Sequence, residues 1–443
     1  MKQILSKIRK SVILSKNVKK LKKQIADEAY LLVENQIKNY PEITGLEFGG
    51  SYAKDTWLSK EADIDIFIKF KKTVSDEKFT EITKKVGFES LKKYNPYVRY
   101  SEHPYVEARI KKTKINVVPC YEVNLGEWKS SADRSPFHTK HMQKSLTTKM
   151  RNEVRILKTF LKVNKIYGAE IAKQGFSGYV SEVLILNFNN FENVIKSIAQ
   201  IQQGQIIGKT SKVFETAIVI IDPIDSNRNL AAAISNENIG KFILLCRAFE
   251  NKPNLEFFNQ KKLKLSKNNW ENVLVVKFNF KMRSPDIIWG QIKKATTSLA
   301  TQLQLGGFNV LRSKAYSDER GKAYFFFLLE STKIPINYSK SGPDFFRVSD
   351  CNSFISKNIV KTELMWINDD GKIIALEKRR QNEVVKFMTE LLKNNLQTGV
   401  PKGLQNDFKK GVKITVGNKN LSKSIKEAIS DLISTDDSIF HSN

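Results

Sequence analysis

The chain has 443 residues, 41% of them hydrophobic, which is room for about three domains with buried cores and excludes a disordered polymer. Lysine and arginine outnumber the acids 74 to 46, and the resulting charge of +28, spread along the chain, favours a polyanionic partner such as nucleic acid. Cys120, Cys246 and Cys351 are scattered and odd in number, which argues against a disulfide framework or a zinc site; the longest apolar runs are too short for a signal segment or a membrane span, so a soluble cytoplasmic protein is expected.

Val18, Leu21, Ile25, Ala29, Leu32 and Val33 make a helical stripe over 17–39, with lysines opposite. Leu46-Glu47-Phe48 reads as a short strand stopped by Gly49-Gly50. Paired glycines let backbone amides approach an anion and a helix start offers free N–H groups, so Gly50, Ser51 and Lys54 are candidate triphosphate contacts. After an eleven-residue gap comes Asp63-Ile64-Asp65-Ile66-Phe67-Ile68-Lys69-Phe70. Strand alternation puts Asp63 and Asp65 on one face and Ile64, Ile66, Ile68 and Phe70 on the other. Two strand rises separate the acidic residues by about 6–7 Å at Cα, which lets both grip divalent ions on the oxygen ligands that Mg²⁺ prefers. That geometry suits two-metal phosphoryl or nucleotidyl transfer.

A second helix is expected over 76–94, then a hairpin of Tyr105–Ile110 and Ile115–Pro119. With its turn centred on Lys112-Thr113, Arg109 faces Asn116 and Glu107 lies diagonally on the same face. The stretch 132–142 is a break leading into a helical region, and His138 on its own reads as a structural histidine. Met150, Val154, Leu157 and Leu161 mark a helix whose flank of Arg151, Arg155, Lys158 and Lys162 is expected to be solvated. Tyr167 reads as a hydrophobic plug, Ser177 as the N-cap of a helix, and 217–221 as a buried strand closed by an Asp222-Pro223 turn ahead of Arg228. A helix over 235–250 leads to a boundary near 251–254.

Beyond it, a strand at Val273–Lys281, a helix at 286–304 opened by Ser284-Pro285 and closed by Gly306-Gly307, and strands near 309–315 and 323–329 form a β-α-β-β unit. Tyr324-Phe325-Phe326-Phe327 reads as core rather than a stacking platform. Residues 332–364 are expected to be a loop-rich, RNA-facing tail; a hairpin about Asp369-Asp370-Gly371, a helix at 382–396 and a frayed end at 434–443 complete the chain.

Gly50-Ser51, the gap and Asp63-x-Asp65 resemble the signature of the polymerase-β-type nucleotidyltransferase superfamily. Gly-Ser-Tyr-Ala-Lys-Asp-Thr-Trp at 50–57, Val-Val-Pro-Cys-Tyr at 117–121, Asp-Arg-Ser-Pro-Phe-His at 133–138 and Tyr-Gly-Ala-Glu at 167–170 resemble the archaeal, class I CCA-adding enzymes. The resemblance runs over roughly 20–250 and more weakly beyond. It implies an α+β multidomain fold: a polymerase-β-like nucleotidyltransferase head at 1–142, a mainly helical central domain at 143–254, and an α+β RNA-binding body and tail at 255–443. It also implies template-independent addition of C, C and A to the 3′ end of tRNA from CTP and ATP with Mg²⁺, the acceptor arm being clamped by the C-terminal half. A homodimer stays open. Asp63 and Asp65 would hold the metals, Ser51, Lys54, Ser135, His138 and Lys158 the triphosphate, with Tyr167 near the nucleotide and Arg228 reading the base edge.

The family carries a third carboxylate where this chain has Asn116, which offers an oxygen without charge to the catalytic and metal-binding set. Three readings follow: an Asp→Asn change that traps substrate, a natural site managing with two acids and partly helped by Glu107, or a protein that binds without reacting. A catalytically inactive tRNA-binding protein is thus one alternative. A poly(A) polymerase or oligonucleotide-signal synthase is the other, although it would lack the 133–138 and 167–170 stretches.

Overall fold

Helices α1 (Lys2–Val12) and α2 (Lys16–Ile37) precede the first sheet, α2 being capped by the Ser15 hydroxyl, which accepts from the Val18 amide at 3.3 Å. In the computed structural model, which describes residues 1–59, 62–100, 103–259, 269–417 and 421–440, the chain divides into two units, Met1–Lys262 with Asp436–Asn443 and Leu263–Thr435.

The first unit opens with β1 (Ile43–Gly49), α3 (Gly50–Ala53), β2 (Ile64–Phe70), α4 (Asp76–Ser90), β3 (Tyr97–Tyr100), β4 (Pro104–Ile110) and β5 (Thr113–Tyr121). These strands form one sheet in the order β1-β2-β5-β4-β3, parallel only between β2 and β5. Ile64, Ile66, Ile68 and Phe70 are fully buried with Val106, Ile115 and Val117 against Ile25, Val33, Phe79 and Val86 of α2 and α4. Covering one face leaves the other free to carry Asp65, as the alternation requires.

Next come α5 (Arg134–Ser145), α6 (Thr148–Val163), α7 (Gly178–Phe188), α8 (Phe191–Ala199), β6 (Ile206–Ile207), β7 (Val219–Asp222), β8 (Asp225–Asn229) and α9 (Asn236–Asn251). Leu157, Phe160, Leu184, Ile195 and Phe242 are central to their core, which also takes in Leu5 and Ile8 of α1. Arg9 secures that first helix by an ion pair to the buried Glu153 at 2.7 Å. Ser177 caps α7 through the Val180 amide at 3.0 Å.

The second unit contains β9 (Val273–Asn279), α10 (Pro285–Leu305), β10 (Val310–Ser317), β11 (Lys322–Leu329), β12 (Asn337–Asp344), α11 (Val348–Asn358), β13 (Leu364–Ile367), β14 (Lys372–Lys378), α12 (Val384–Asn394), α13 (Leu396–Gly399), α14 (Lys402–Lys409), β15 (Val412–Val416) and α15 (Lys423–Ile433). Its larger sheet, β10-β11-β9-β15, is covered on both faces: Phe325 and Phe327 pack with Phe278 and Leu299, and Tyr324 and Phe326 pack with Val275 and Ile429. The aromatic run is therefore core.

Three expectations change here. Residues 332–364 are not loop-rich, because β12 and β13 flank β14 in a second sheet and α11 stands between them in sequence; ladder hydrogen bonds, not apolar periodicity, hold so polar a strand as β12. Ser284 stands at the N-cap of α10 without a capping hydrogen bond, its hydroxyl buried and unpartnered. The C-terminal stretch is not simply frayed: α16 (Asp437–Phe440) lies on α9, with Ile439 against the core and Asp436 3.5 Å from Lys241, while 441–443 lie outside the described residues.

Candidate active site

β1 runs into α3 at Gly50, whose φ of +63° is left-handed and whose absent Cβ would lie 1.8 Å from Asp65 Oδ2. Only glycine lets the chain turn this close to the acid. Strand register extends the arrangement sideways: Gly49 pairs with Asp65, Asp65 with Asn116, Asn116 with Glu107, and Glu107 with Tyr97. Directly paired residues point to the same side of a sheet, so all these side chains leave the face opposite the isoleucine core.

The hairpin turns one residue earlier than expected, at Lys111-Lys112, with Lys111 at φ +54°. A two-residue loop accommodates that conformation at its first position. Arg109 consequently faces Lys114, and Glu107 stands directly opposite Asn116 rather than diagonal to it. Glu107 is nonetheless engaged: it is 3% exposed and accepts hydrogen bonds from the Tyr97 hydroxyl and from Arg99 Nε, the latter at 3.3 Å.

Ser51, Asp63, Asp65, Lys114, Lys158 and Tyr167 line a cavity of about 460 Å³. Asp63, just ahead of β2, lies 3.8 Å from Lys114. Burial raises its pKa against the pull of Lys114, and burial raises that of Asp65 against a 2.8 Å hydrogen bond donated by Asn116 Nδ2. The Oδ1 of Asn116 is buried and accepts nothing. The desolvated Asp65 carboxyl and the partly exposed Asp63 carboxyl suit a divalent cation, and the Asn116 amide has an oxygen that no donor satisfies. Among the described residues, no group of three His, Cys, Asp or Glu side chains is placed to hold a metal.

The flank of α6 is not solvated. Lys158 is 1% exposed because α7 brings Glu182 against it, and Arg155 is 2% exposed because it lies under the 55–57 loop. Glu182 lies 3.2 Å from Lys158 Nζ and 2.5 Å from Lys54 Nζ, and accepts from the Thr56 hydroxyl at 2.5 Å. Arg155 donates to the Trp57 carbonyl at 3.0 Å and to the Asp55 carboxylate at 2.6 Å. The helix thereby fixes the 54–57 loop that follows Ser51. Burial lowers the Lys158 pKa to about 8, although Glu182 works to raise it. Burial would raise Glu182, but Lys54 and Lys158 hold it below the usual range.

A second buried carboxylate, Asp222 at the end of β7, receives His138 Nε2 and the Tyr179 hydroxyl at 2.8 Å each and Arg228 at 3.0 Å. The Tyr179 ring stacks on His138 at 3.9 Å, and Lys54 sits 5.3 Å from the centre of that ring. Burial lowers the His138 pKa against the opposing pull of Asp222, so the imidazole is held neutral. Arg228 keeps 40% of its side chain exposed.

Of the residues singled out from sequence, Ser51, Asp63, Asp65, Lys158 and Tyr167 share the cavity; Lys54 joins Lys158 through Glu182, and His138 and Arg228 gather at Asp222. Ser135 lies half-buried in the first turn of α5, its carbonyl accepting from Thr139 at 2.9 Å. Sequence reasoning missed Glu182, Asp222 and Tyr179. The available signal was an acid inside the apolar run Val180–Leu186, which an apolar helix face carries only with partners.

Residues 32–138 match the family model described as nucleotidyltransferase domain, 152–259 that of tRNA nucleotidyltransferase, second domain, and 271–417 that of CCA-adding enzyme, C-terminal domain. The chain is 33% identical over 388 residues to a CCA-adding enzyme of Sulfurisphaera tokodaii, covering 86% of this chain and 90% of that one. It is 34% identical over 344 residues to a CCA-adding enzyme of Sulfolobus acidocaldarius, covering 76% and 81%.

Proposed function

This chain belongs to the CCA-adding enzymes, and we propose that it builds the terminal C, C and A of tRNA from CTP and ATP with Mg²⁺ as its metal. Its reaction is template-independent nucleotidyl transfer to the 3′ end of tRNA, and it depends on a divalent metal. The end-to-end likeness to named enzymes disfavours an inactive binder, a poly(A) polymerase or a signal synthase.

Asp63 and Asp65 would hold the metal, with the unpartnered Oδ1 of Asn116 as a neutral oxygen ligand. When bound, the metal supplies the charge that activates the primer hydroxyl and stabilises departing pyrophosphate. Ser51 and Lys158 border the same cavity, where the triphosphate lies in this reading. Lys54 and Lys158 share one carboxylate, so the buried cluster carries a surplus positive charge when both are protonated. Arg228, tethered on one side by Asp222, presents its remaining N–H groups to the base edge, a task for which a planar guanidinium is better shaped than an ammonium. His138 and Tyr179 brace that tether, and Tyr167 walls the nucleotide. The division at 142 and 254, a C-terminal half that grips the acceptor arm through phosphates and shape, and a cytoplasmic location complete the proposal. Among the described residues no helix is long and apolar enough to cross a membrane.

The observation that carries the reading is the meeting of Asp63 and Asp65 with Ser51 and Lys158 in one cavity. Incubation with tRNA lacking its CCA end, labelled CTP and ATP, and Mg²⁺ should give extension by three nucleotides, lost in Asp65→Asn. No incorporation at high enzyme concentration would overturn it.

A further inference from the structure

We infer that Asn116 acts as a turning amide and that Glu107 is the positioning residue that lets it turn. With a cation between the acids, the amide oxygen faces the cation and the amide hydrogens pass to the Glu107 carboxylate. This rests on the metal reading above. In the structure Asn116 donates to Asp65 at 2.8 Å, which leaves its Oδ1 buried with no donor. Asn116 is the middle member of the row, with Asp65 on the β2 side and Glu107 on the β4 side. An amide whose NH₂ points to Asp65 carries its oxygen away from Asp65, so two acceptors, Oδ1 and the Glu107 carboxylate, stand on neighbouring strands with no donor assigned between them.

A cation reverses the preferences at both ends of the amide. Asp65 then turns its lone pairs to the metal and needs no donor, while an NH₂ beside the metal is repelled and a carbonyl oxygen is attracted. The displaced NH₂ needs an acceptor, and Glu107 supplies one. Its carboxylate offers about four acceptor positions, of which Tyr97 and Arg99 occupy two. Arg99 also balances its charge at 3.3 Å. Glutamine could not serve in the same way, since its single oxygen would be taken by Tyr97 and Arg99.

The test is Mn²⁺ binding by calorimetry in the full chain, with four proteins: wild type, Glu107→Gln, Asn116→Asp and the double variant. A partner that orients a metal ligand is worth ~10-fold or more in metal affinity. Glu107→Gln should therefore weaken Mn²⁺ binding by about that factor where residue 116 is asparagine. It should have little effect in the Asn116→Asp chain, where there is no amide to orient. In ¹⁵N-asparagine-labelled protein, the side-chain NH₂ signal that disappears in Asn116→Asp should shift when Mg²⁺ is added, and this readout needs no Glu107 variant that folds. Equal weakening in both backgrounds would make Glu107 a plain source of local charge and overturn the inference, as would no weakening or an unmoved NH₂ signal. No Mn²⁺ binding by either wild type or Asn116→Asp would remove the metal reading itself, and this inference with it.

Discussion

Glu182 and Asp222 are both fully enclosed carboxylates that draw in residues from distant parts of the chain, yet they hold different kinds of partner. Glu182 faces two ammonium groups and a hydroxyl, all buried. Asp222 faces a neutral imidazole, a phenol and a guanidinium with 40% of its side chain exposed. The first cluster is closed and carries excess positive charge, which suits a group that must always lie in one place, as a triphosphate does. The second is held on one side and open on the other, which suits a reader that meets two different bases. Lys54 links them, bound to Glu182 and lying over the Tyr179 ring.

Removing the Glu182 carboxylate is the harshest way to break this contrast. Glu182→Ala leaves Lys54 and Lys158, 7% and 2% exposed at their side chains, without a counter-charge. Breaking a buried pair from one side costs roughly 3–5 kcal/mol, which urea denaturation would register. A loss below ~1 kcal/mol, the value of an exposed pair, would mean that the cluster is wetter and less closed than its burial indicates.

Both carboxylates escaped the sequence for one physical reason. Periodicity shows which face of a helix is apolar, and Met150, Val154, Leu157 and Leu161 located α6 on that ground. It is silent on what neighbouring segments bring to the other faces, so Lys158, which meets Glu182 of α7, and Arg155, which meets the 55–57 loop, both read as solvated. The acid pair was legible because strand alternation is local: Asp65 and the buried isoleucines follow from eight consecutive residues. The register of Glu107 depended on where the hairpin turned, and one residue of error there rotated its relation to Asn116. The apolar residues of α1, Ile4, Leu5, Ile8 and Val12, fall within eleven residues, too short a stretch to distinguish a docked helix from a tail.

At the Asp222 end the expected effect falls on selectivity rather than stability. Asp222→Asn retains an acceptor for the Tyr179 hydroxyl but loses the charge that holds Arg228. A well-placed arginine–base contact is worth about 1–3 kcal/mol of discrimination. The ratio of kcat/KM for CTP over UTP should therefore fall by ~10- to 100-fold, with Arg228→Ala losing at least as much. An unchanged ratio in both variants would remove Arg228 as base reader and leave Asp222 as a purely structural hub.

The smallest effect separates the clusters by pH. Lys158, facing Glu182, Lys54, Arg155 and Thr56, releases its proton near pH 8 in the folded chain, below the ordinary 10.5 of a lysine. The surplus positive charge then disappears, and kcat/KM for CTP, which reports the free enzyme, should fall by about fourfold between pH 7 and 8.5 from this titration. Stability moves the other way. Between about 8 and 10.5 the unfolded chain binds the proton that folded Lys158 has lost, so its contribution to stability rises with pH in that window. Glu182→Gln removes a charge that raises the Lys158 pKa, so the falling limb should move to lower pH. His138, lowered from 6.5, adds no fall in kcat/KM above pH 7, since its imidazole is already neutral; its cost appears only in stability below pH 6.5, where the unfolded chain takes up the proton first. A limb near pH 8 that ignored Glu182→Gln would belong to some other group and would detach Lys158 from the triphosphate.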